Sequence, residues 1–93
     1  MEMIRKHVYF SGKVQGVYFR YNTKKKAKKE SVTGWVKNLK DGRVEAVFEG
    51  PKDKVNEVIR WCGEEQPHAV VRDIEERKEE FEGSFDSFRI RRI

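Results

Sequence analysis

Two hydrophobic periodicities alternate along the 93-residue chain, and their order narrows the possible folds sharply. Apolar residues at every second position predict strands with one buried face, whereas recurrence at three and four positions predicts amphipathic helices. In chain order the segments are a strand, a helix, two strands joined by a tight turn, a helix, a strand and a short final strand. This order is typical of α+β folds.

The strand pattern is clearest near the start of the chain. Val8 and Phe10 fall on one side of the first strand, and His7 and Tyr9 fall on the other. Asp41-Gly42 separates the second and third strands and readily adopts positive φ, which predicts a hairpin turn. The five predicted strands cover residues 4–13, 35–39, 44–49, 69–77 and 85–93.

Two segments carry the helical pattern. Residues 20–31 are rich in good helix formers, although their apolar stripe is thin. The second helix begins at Pro51, which suits a first helical turn, and ends near Gly63. Its amphipathic face follows i, i+3, i+4 and i+7 spacing and consists of Val55, Val58, Ile59 and Cys62.

Two helices at these positions cover one face of a sheet and leave the other face toward solvent. The sequence therefore predicts one domain, residues 1–93, with a ferredoxin-like βαββαβ sandwich. We expect an antiparallel sheet, two helices on one face and a short extra C-terminal strand. This scaffold hosts many unrelated activities, so the fold alone does not indicate a function.

Charge and cysteine content exclude several classes of site. Twenty-one Lys and Arg against 16 Asp and Glu give a net charge of +5, which suits an anionic ligand and does not by itself indicate nucleic acid. The single Cys62 excludes an internal disulfide and a cysteine-based zinc cluster. His7 and His68 lie far apart in the sequence, so no dense group of metal ligands is visible. We expect no metal and no cofactor.

The sequence also indicates a compartment and a source. It has no apolar run of about 18 residues that would span a membrane, and its first residues pass directly into a strand pattern without a signal-peptide core. We therefore expect a cytoplasmic protein. Heavy use of Lys and Glu with three Asn and two Gln is the bias seen in proteins from hot environments.

The segment between the first strand and the first helix carries the main functional signal. Gly16 allows the chain to curl so that successive backbone N–H groups converge, and the following helix N-terminus favours an anion. Arg20, at the start of that helix, adds a planar fork of donors. The segment predicts a site for one phosphate group. The alternative is a glycine turn beside an arginine that is exposed by chance.

Asn38 is the second candidate. Val36 and Asn38 share one side of the second strand, so Asn38 lies toward the core side at the strand end. A neutral amide both donates and accepts hydrogen bonds, which suits it to hold a water in a fixed orientation. The alternative is an asparagine that bonds into the adjacent Asp41-Gly42 turn.

Taken together, the two segments resemble the acylphosphatase family. The sequence contains G-x-V-Q-G-V-x-F-R at residues 12–20 and G-W-V-x-N-x-x-D-G-x-V-E at residues 34–45. Further agreement comes from Glu49-Gly50 and from the final Phe88-x-Ile90, so the resemblance covers nearly the whole chain. The chain departs from it at residues 30–32, where it has Glu-Ser-Val and many members have Leu-Gly-Leu before the G-W-V segment. This departure concerns a glycine cap at the end of the first helix.

The resemblance implies metal-independent hydrolysis of the carboxyl–phosphate bond of acyl phosphates. It implies that Arg20 binds the phosphoryl group and that Asn38 orients the attacking water. It assigns substrate binding also to the loop backbone of Val14, Gln15, Gly16, Val17, Tyr18 and Phe19. We expect phosphate and sulfate to be competitive ligands, and we expect a monomer with no membrane partner.

Other functions remain open at this point. The lysine run at residues 24–29 is a nucleic-acid patch or, more simply, a solvated helix face. The chain lacks the aromatic-rich strand motif of RNA-recognition modules, so we do not expect nucleic acid as a partner. A phosphate-binding sensor without turnover would keep the same loop. A third alternative is a detached acylphosphatase-like domain of a larger carbamoyl-transfer protein.

Overall fold

The computed structural model describes residues 1–92. Its elements follow the predicted order, and their bounds are β1 (Met3–Lys13), α1 (Phe19–Lys29), β2 (Thr33–Asn38), β3 (Val44–Pro51), α2 (Lys52–Glu64), β4 (Val70–Glu79) and β5 (Phe88–Ile90). The predicted ends of the first six elements differ from these by no more than two residues. The final strand was predicted over 85–93 and is shorter; the part of that prediction at Ile93 lies outside the described residues.

The five strands form one sheet in the order β4-β1-β3-β2-β5. Strand β1 pairs antiparallel with β3 and β4, and β2 pairs antiparallel with β3. Strand β5 pairs parallel with β2, with Gly34 opposite Phe88 and Val36 opposite Ile90. The ferredoxin-like fold and the extra C-terminal strand are therefore confirmed, and the sheet is mixed rather than wholly antiparallel. Hydrophobic alternation carries no information on strand direction, which is why the sequence did not reveal the parallel pair.

A buried carboxylate holds the segment that crosses from β4 at one edge to β5 at the other. Glu49 of β3 is 1% exposed and accepts hydrogen bonds from the backbone N–H groups of Glu82 (2.8 Å) and Gly83 (3.1 Å). The guanidinium of Arg5 donates to the same carboxylate at 3.2 Å. These bonds fix the crossing segment over the end of the sheet, and so they help to place β5 beside β2.

The core lies between the sheet and the two helices. Val8, Phe10, Val36 and Phe48 of the sheet are fully buried in one core cluster with α2, whose buried face is the predicted one: Val55, Val58, Ile59 and Cys62. Helix α1 contributes Phe19, Thr23 and Ala27. Burial of each large apolar side chain typically stabilises a fold by about 1.5–3 kcal/mol, so this layer is the main source of stability.

The other face of the sheet is less open to solvent than its charged sequence suggests. Val47, at its centre, is 1% exposed. It lies in a face of aromatic side chains and arginines, in which Arg43 packs over the ring of Tyr9 at 4.8 Å and Arg91 over that of Trp35 at 4.7 Å. The expectation of a wet face is therefore wrong in part, because arginine stems cover apolar surface while their charged ends reach water.

His7 lies on this same face and links two carboxylates. Its Nε2 is 2.6 Å from Glu45 and its Nδ1 is 3.0 Å from Glu79. Burial raises the pKa of Glu45, but the hydrogen bond with His7 and nearby positive charges outweigh it, so the pKa lies below its ordinary value. Hydrogen bonds from Arg5 and then His7 lower the pKa of Glu79. His7 thus belongs to a hydrogen-bonded cluster with Glu45 and Glu79 on this face of the sheet.

Candidate active site

A β-bulge at the end of β1 turns the chain out of the sheet and into the loop of residues 14–18. The register between β1 and β4 shifts between Ser11 and Gly12. A Cβ atom on Gly12 would lie 2.2 Å from the carbonyl oxygen of Val70, so only glycine allows β4 to approach this closely. The bulge determines where the loop leaves the sheet.

The loop ends at the N-terminus of α1 with unpaired backbone donors. Gly16 has φ 75° and Tyr18, the N-cap residue, has φ 60°, with a residue outside the positive-φ region between them. Such alternation directs neighbouring N–H groups toward a common side. Among the hydrogen bonds within residues 1–92, none is donated by the amides of residues 15–18. Together with the helix N-terminus, these amides make a site that suits an anion.

Apolar side chains fix this loop to the core. Val14 and Val17 are 1% and 8% exposed, and Phe19 is 2% exposed. The ring of Phe19 packs edge-to-face against that of Phe10, with 5.1 Å between centroids. Because buried residues lie on both sides of Gly16, the position of the loop backbone is set by the core.

Gln15 connects the loop to the hairpin between β2 and β3. Its Nε2 donates to the carbonyl oxygens of Leu39 (2.8 Å) and Arg43 (3.0 Å). These two carbonyls flank the Asp41-Gly42 turn, next to the end of β2. The side chain of Gln15 therefore positions the loop relative to Asn38.

The carbonyl oxygen of the Asn38 side chain takes no part in the hairpin turn. The turn is closed by a hydrogen bond from the Leu39 N–H to the Arg43 carbonyl (2.8 Å) and by one from the Arg43 N–H to Asp41 Oδ1 (3.1 Å). Asn38 Oδ1 is buried and has no hydrogen-bond partner within residues 1–92. A buried acceptor without a partner is unfavourable, so this atom is suited to accept a hydrogen bond from a bound molecule.

Arg20 and Asn38 line one cavity of about 470 Å³. Within residues 1–92 the rest of its lining includes no acidic side chain and consists of Val14, Gly16, Tyr18, Phe19, Tyr21, Ile90 and Arg92. No carboxylate within the described part of the chain forms an ion pair with Arg20, although fifteen ion-pair contacts occur there. The guanidinium of Arg20 is therefore available to an anion in the cavity.

The cavity contains most of the predicted site residues and three that the sequence did not indicate. Of the predicted loop residues, Gln15 and Val17 do not line it. Tyr21, Ile90 and Arg92 do. Tyr21 directly follows Arg20 in the first helical turn, which is the only signal that pointed to it. Ile90 and Arg92 come into place through the parallel pairing of β5 with β2, for which the sequence offered no signal.

A slightly larger depression, about 530 Å³, lies between α2 and β4. Its lysine is already engaged, since Nζ of Lys6 is 2.8 Å from Asn56 Oδ1 and 2.9 Å from Glu76 Oε1. In the lysine run of α1, Lys26 contacts Glu30 at 3.1 Å, and this hydrogen bond raises the pKa of Lys26. Lys6 and Lys26 thus both contact carboxylates, whereas Arg20 contacts none within the described residues.

The remaining candidates lie elsewhere. Cys62 is 1% exposed, and burial raises the pKa of its thiol to about 12, so it is poorly suited to act as a nucleophile. His68 is exposed in the turn before β4, and His7 lies on the far face of the sheet.

Within residues 1–92 no group of three or more metal-ligating side chains is found. Neither helix there combines the length and hydropathy that a bilayer-spanning segment needs.

Comparisons with family models, known sequences and solved structures all give the same family. A family model described as acylphosphatase matches residues 6–90. A protein named acylphosphatase from Syntrophus aciditrophicus is 52% identical over 88 residues, which are 95% of this chain and 92% of that protein. A solved acylphosphatase structure from Coxiella burnetii superposes with a TM-score of 0.89 at 40% identity, covering 96% of this chain and 93% of that one.

The same fold also occurs inside a larger protein. A full-length HypF structure in a phosphate- and nucleotide-bound form matches with a TM-score of 0.85 at 25% identity. The match covers 97% of this chain but 12% of that protein. The present chain is thus similar to stand-alone proteins over their length and to HypF over a small part.

Proposed function

The chain belongs to the acylphosphatase family and is an enzyme of acyl phosphate hydrolysis, and we propose that residues 14–20 and Asn38 form its active site. In this proposal the loop amides and Arg20 bind the phosphoryl group, and Asn38 orients a water. The water oxygen bonds to phosphorus, the bond from phosphorus to the acyl oxygen breaks, and a carboxylate and inorganic phosphate leave. The supporting observation is that Arg20, Asn38 and the loop share one cavity.

Binding of the phosphoryl group follows from charge and geometry. Its nonbridging oxygens are negative, and Arg20 offers a planar fork of donors that matches two of them. The amides of residues 15–18 and the N-terminus of α1 supply further donors. Because Val14 and Phe19 are buried, these donors need little rearrangement when charge shifts in the transition state. The guanidinium and amides supply the positive charge, so the proposed reaction requires no metal.

Asn38 suits the positioning of the water. Its Oδ1 accepts a hydrogen bond from the water, which directs a lone pair of the water oxygen toward phosphorus. Gln15 supports this step indirectly, since its two hydrogen bonds hold the hairpin and the loop together. Asn38 and the phosphoryl group therefore keep a fixed separation.

The departure of the acyl group needs little help. The leaving group is a carboxylate, which is stable as an anion at neutral pH, so a strong general acid is unnecessary. The lining of the cavity agrees with this, because the described residues that form it include neither an acidic side chain nor a histidine. Catalysis then rests on positioning and on stabilisation of the phosphoryl charge.

Two substitutions test these roles with benzoyl phosphate as substrate and excess chelator present. Arg20→Ala should weaken inhibition by phosphate or sulfate and lower kcat/KM by roughly 30- to 1,000-fold, about 2–4 kcal/mol, since it removes a charge-assisted contact. Asn38→Ala should leave phosphate inhibition near normal and lower kcat by about 100-fold, since only the water loses its orientation. Thermal melting of each variant checks folding.

Matched controls come from elsewhere in the chain. Asn56→Ala and Arg72→Ala remove the same residue types from the depression between α2 and β4, and they should retain wild-type kcat. Full kcat in folded Asn38→Ala would show that the water-positioning role is wrong. Phosphate binding without hydrolysis in the wild-type protein would indicate a sensor instead, and loss of activity in chelator would contradict metal independence.

We also propose that the protein acts as a monomer in the cytoplasm of an organism from a hot environment. A free, buried Cys62 suits a reducing compartment. Ion-pair groups such as Arg60 with Glu57, at 2.9 Å, suit high temperature, where charges lose less on desolvation. Sedimentation velocity tests whether the protein is a monomer, and cell fractionation tests whether it is cytoplasmic. A melting temperature above about 90 °C would support an origin in a hot environment.

A further inference from the structure

The cavity around Arg20 has an aromatic side that the phosphate chemistry does not use. Tyr18 and Tyr21 both line it, and their side chains are largely exposed, Tyr18 at 77% and Tyr21 at 57%. Ile90 adds an apolar side chain to the same lining. A phosphoryl group on the loop amides and Arg20 leaves the rest of the substrate beside these groups.

Tyr18 contributes little to the folded chain that would explain a tyrosine here. With φ 60° it adopts the left-handed conformation, which is unfavourable for a residue with a Cβ atom. It is the N-cap of α1, yet its side chain makes no capping hydrogen bond. Its ring is also too exposed to add much to the core. A strained backbone conformation that contributes nothing to the fold, at a residue that lines a cavity, indicates that Tyr18 has a role in function.

We infer that Tyr18, supported by Tyr21, binds the acyl group of the substrate and makes the enzyme favour acyl phosphates with an aromatic or bulky apolar acyl group over acetyl phosphate. The inference rests on the proposed function, since it requires the phosphoryl group to occupy the loop. An aromatic acyl group packs against a tyrosine ring through its face or edge, whereas an acetyl group offers a single methyl. Tyr18 is thus a specificity-determining residue.

The test compares the kcat/KM values for benzoyl phosphate and acetyl phosphate in the wild type and three variants. Tyr18→Asn removes the ring but keeps a residue that tolerates positive φ. It should lower the ratio of benzoyl to acetyl kcat/KM by about three- to tenfold, mainly through the KM for benzoyl phosphate. Tyr18→Phe keeps the ring and should keep the wild-type ratio. Phe81→Asn removes an exposed aromatic ring outside the cavity and should change neither activity nor ratio.

The inhibition constant of inorganic phosphate provides a second reading. Phosphate occupies the loop without reaching the ring, so Tyr18→Asn should change this constant by less than about twofold. A ratio within twofold of wild type in Tyr18→Asn would overturn the inference, as would an equal loss for both substrates, which would mean that Tyr18 only shapes the loop. In both cases the wild-type enzyme still hydrolyses acyl phosphates. Failure of the wild type to hydrolyse either substrate would overturn the proposed function and this inference together.

Discussion

Replacement of Ser31 by glycine should stabilise the protein. Ser31 follows helix α1 with φ 59°, a left-handed conformation that favours glycine. The helix ends in a Schellman motif, in which the Val32 N–H donates to the Ala27 carbonyl at 2.8 Å and the Ser31 N–H donates to the Lys28 carbonyl at 3.1 Å. Val32 and Ala27 are both buried in the same core cluster, as expected for the apolar pair that accompanies this motif. The backbone geometry of a glycine cap is complete without the glycine.

The size of the effect follows from two opposing contributions. A residue with a Cβ atom pays about 1–2 kcal/mol in the left-handed conformation, and Ser31→Gly removes this strain. Glycine also makes the unfolded chain more flexible, which offsets roughly 0.4–1 kcal/mol. Ser31 is exposed, so no packing is lost. The central values of the two ranges, about 1.5 and 0.7 kcal/mol, leave a net gain in the free energy of unfolding of about 0.8 kcal/mol. In a domain of this size the melting temperature should then rise by roughly 3–6 °C.

Lys29→Gly supplies the matched control. It also introduces one glycine, two residues earlier, where the backbone is helical. The unfolded chain gains similar flexibility in both variants, but Lys29→Gly relieves no strain and should lower the melting temperature. Both variants are measured by circular dichroism melting and urea unfolding, with Ser31→Ala to show that the hydroxyl contributes little. A melting temperature for Ser31→Gly at or below the wild-type value would refute the account of strain at Ser31.

Two further predictions concern the loop and the acid range. Gln15→Ala should lower the free energy of unfolding by about 1–3 kcal/mol, because it deletes two hydrogen bonds to partly buried carbonyls. It should also reduce kcat. Unaltered stability and kcat in this variant would show that Gln15 does not position the loop. Hydrogen bonds from Arg60 lower the pKa of Glu57 to about 2. A carboxylate with a lowered folded pKa stabilises the protein fully above its ordinary pKa near 4.5 and loses this contribution as the pH falls toward 2. Melting temperatures between pH 6 and pH 2 should therefore fall less steeply in Glu57→Gln than in wild type, and parallel curves would contradict this.

The hydrophobic periodicity sufficed to predict the elements and their order. The face of α2 that contains Val55 and Ile59 was predicted from spacing alone, because a helix side with four apolar residues has few alternatives to burial. Strand β5 was predicted with less success. Its three paired residues depend on the crossing segment that Glu49 holds, and a contact between residues more than thirty positions apart leaves no local pattern.

The lining of the cavity was predicted only in part: local motifs pointed to Arg20, Asn38 and the loop, but not to every residue that lines the cavity. Arg20 and Asn38 come from different elements, and only the order of strands in the sheet brings them to one cavity. Arg92 and Ile90 entered the lining through the same long-range pairing. The sequence also did not show which arginines form ion pairs. With 40% charged residues, the chain offers many arginines, and only side-chain geometry separates the unpaired Arg20 from one such as Arg60.

Tyr18 and Ser31 have nearly the same φ, and comparing them distinguishes strain at the cavity from strain at a helix end. Both are non-glycine residues at an end of α1, and neither is buried. Ser31 does not line the cavity, so glycine there should relieve the strain without a cost in activity. Tyr18 lies in the cavity beside Arg20. There the same relief of strain would remove the ring that we propose binds the acyl group. We therefore expect stability and specificity to change in opposite directions at Tyr18, and stability alone to change at Ser31.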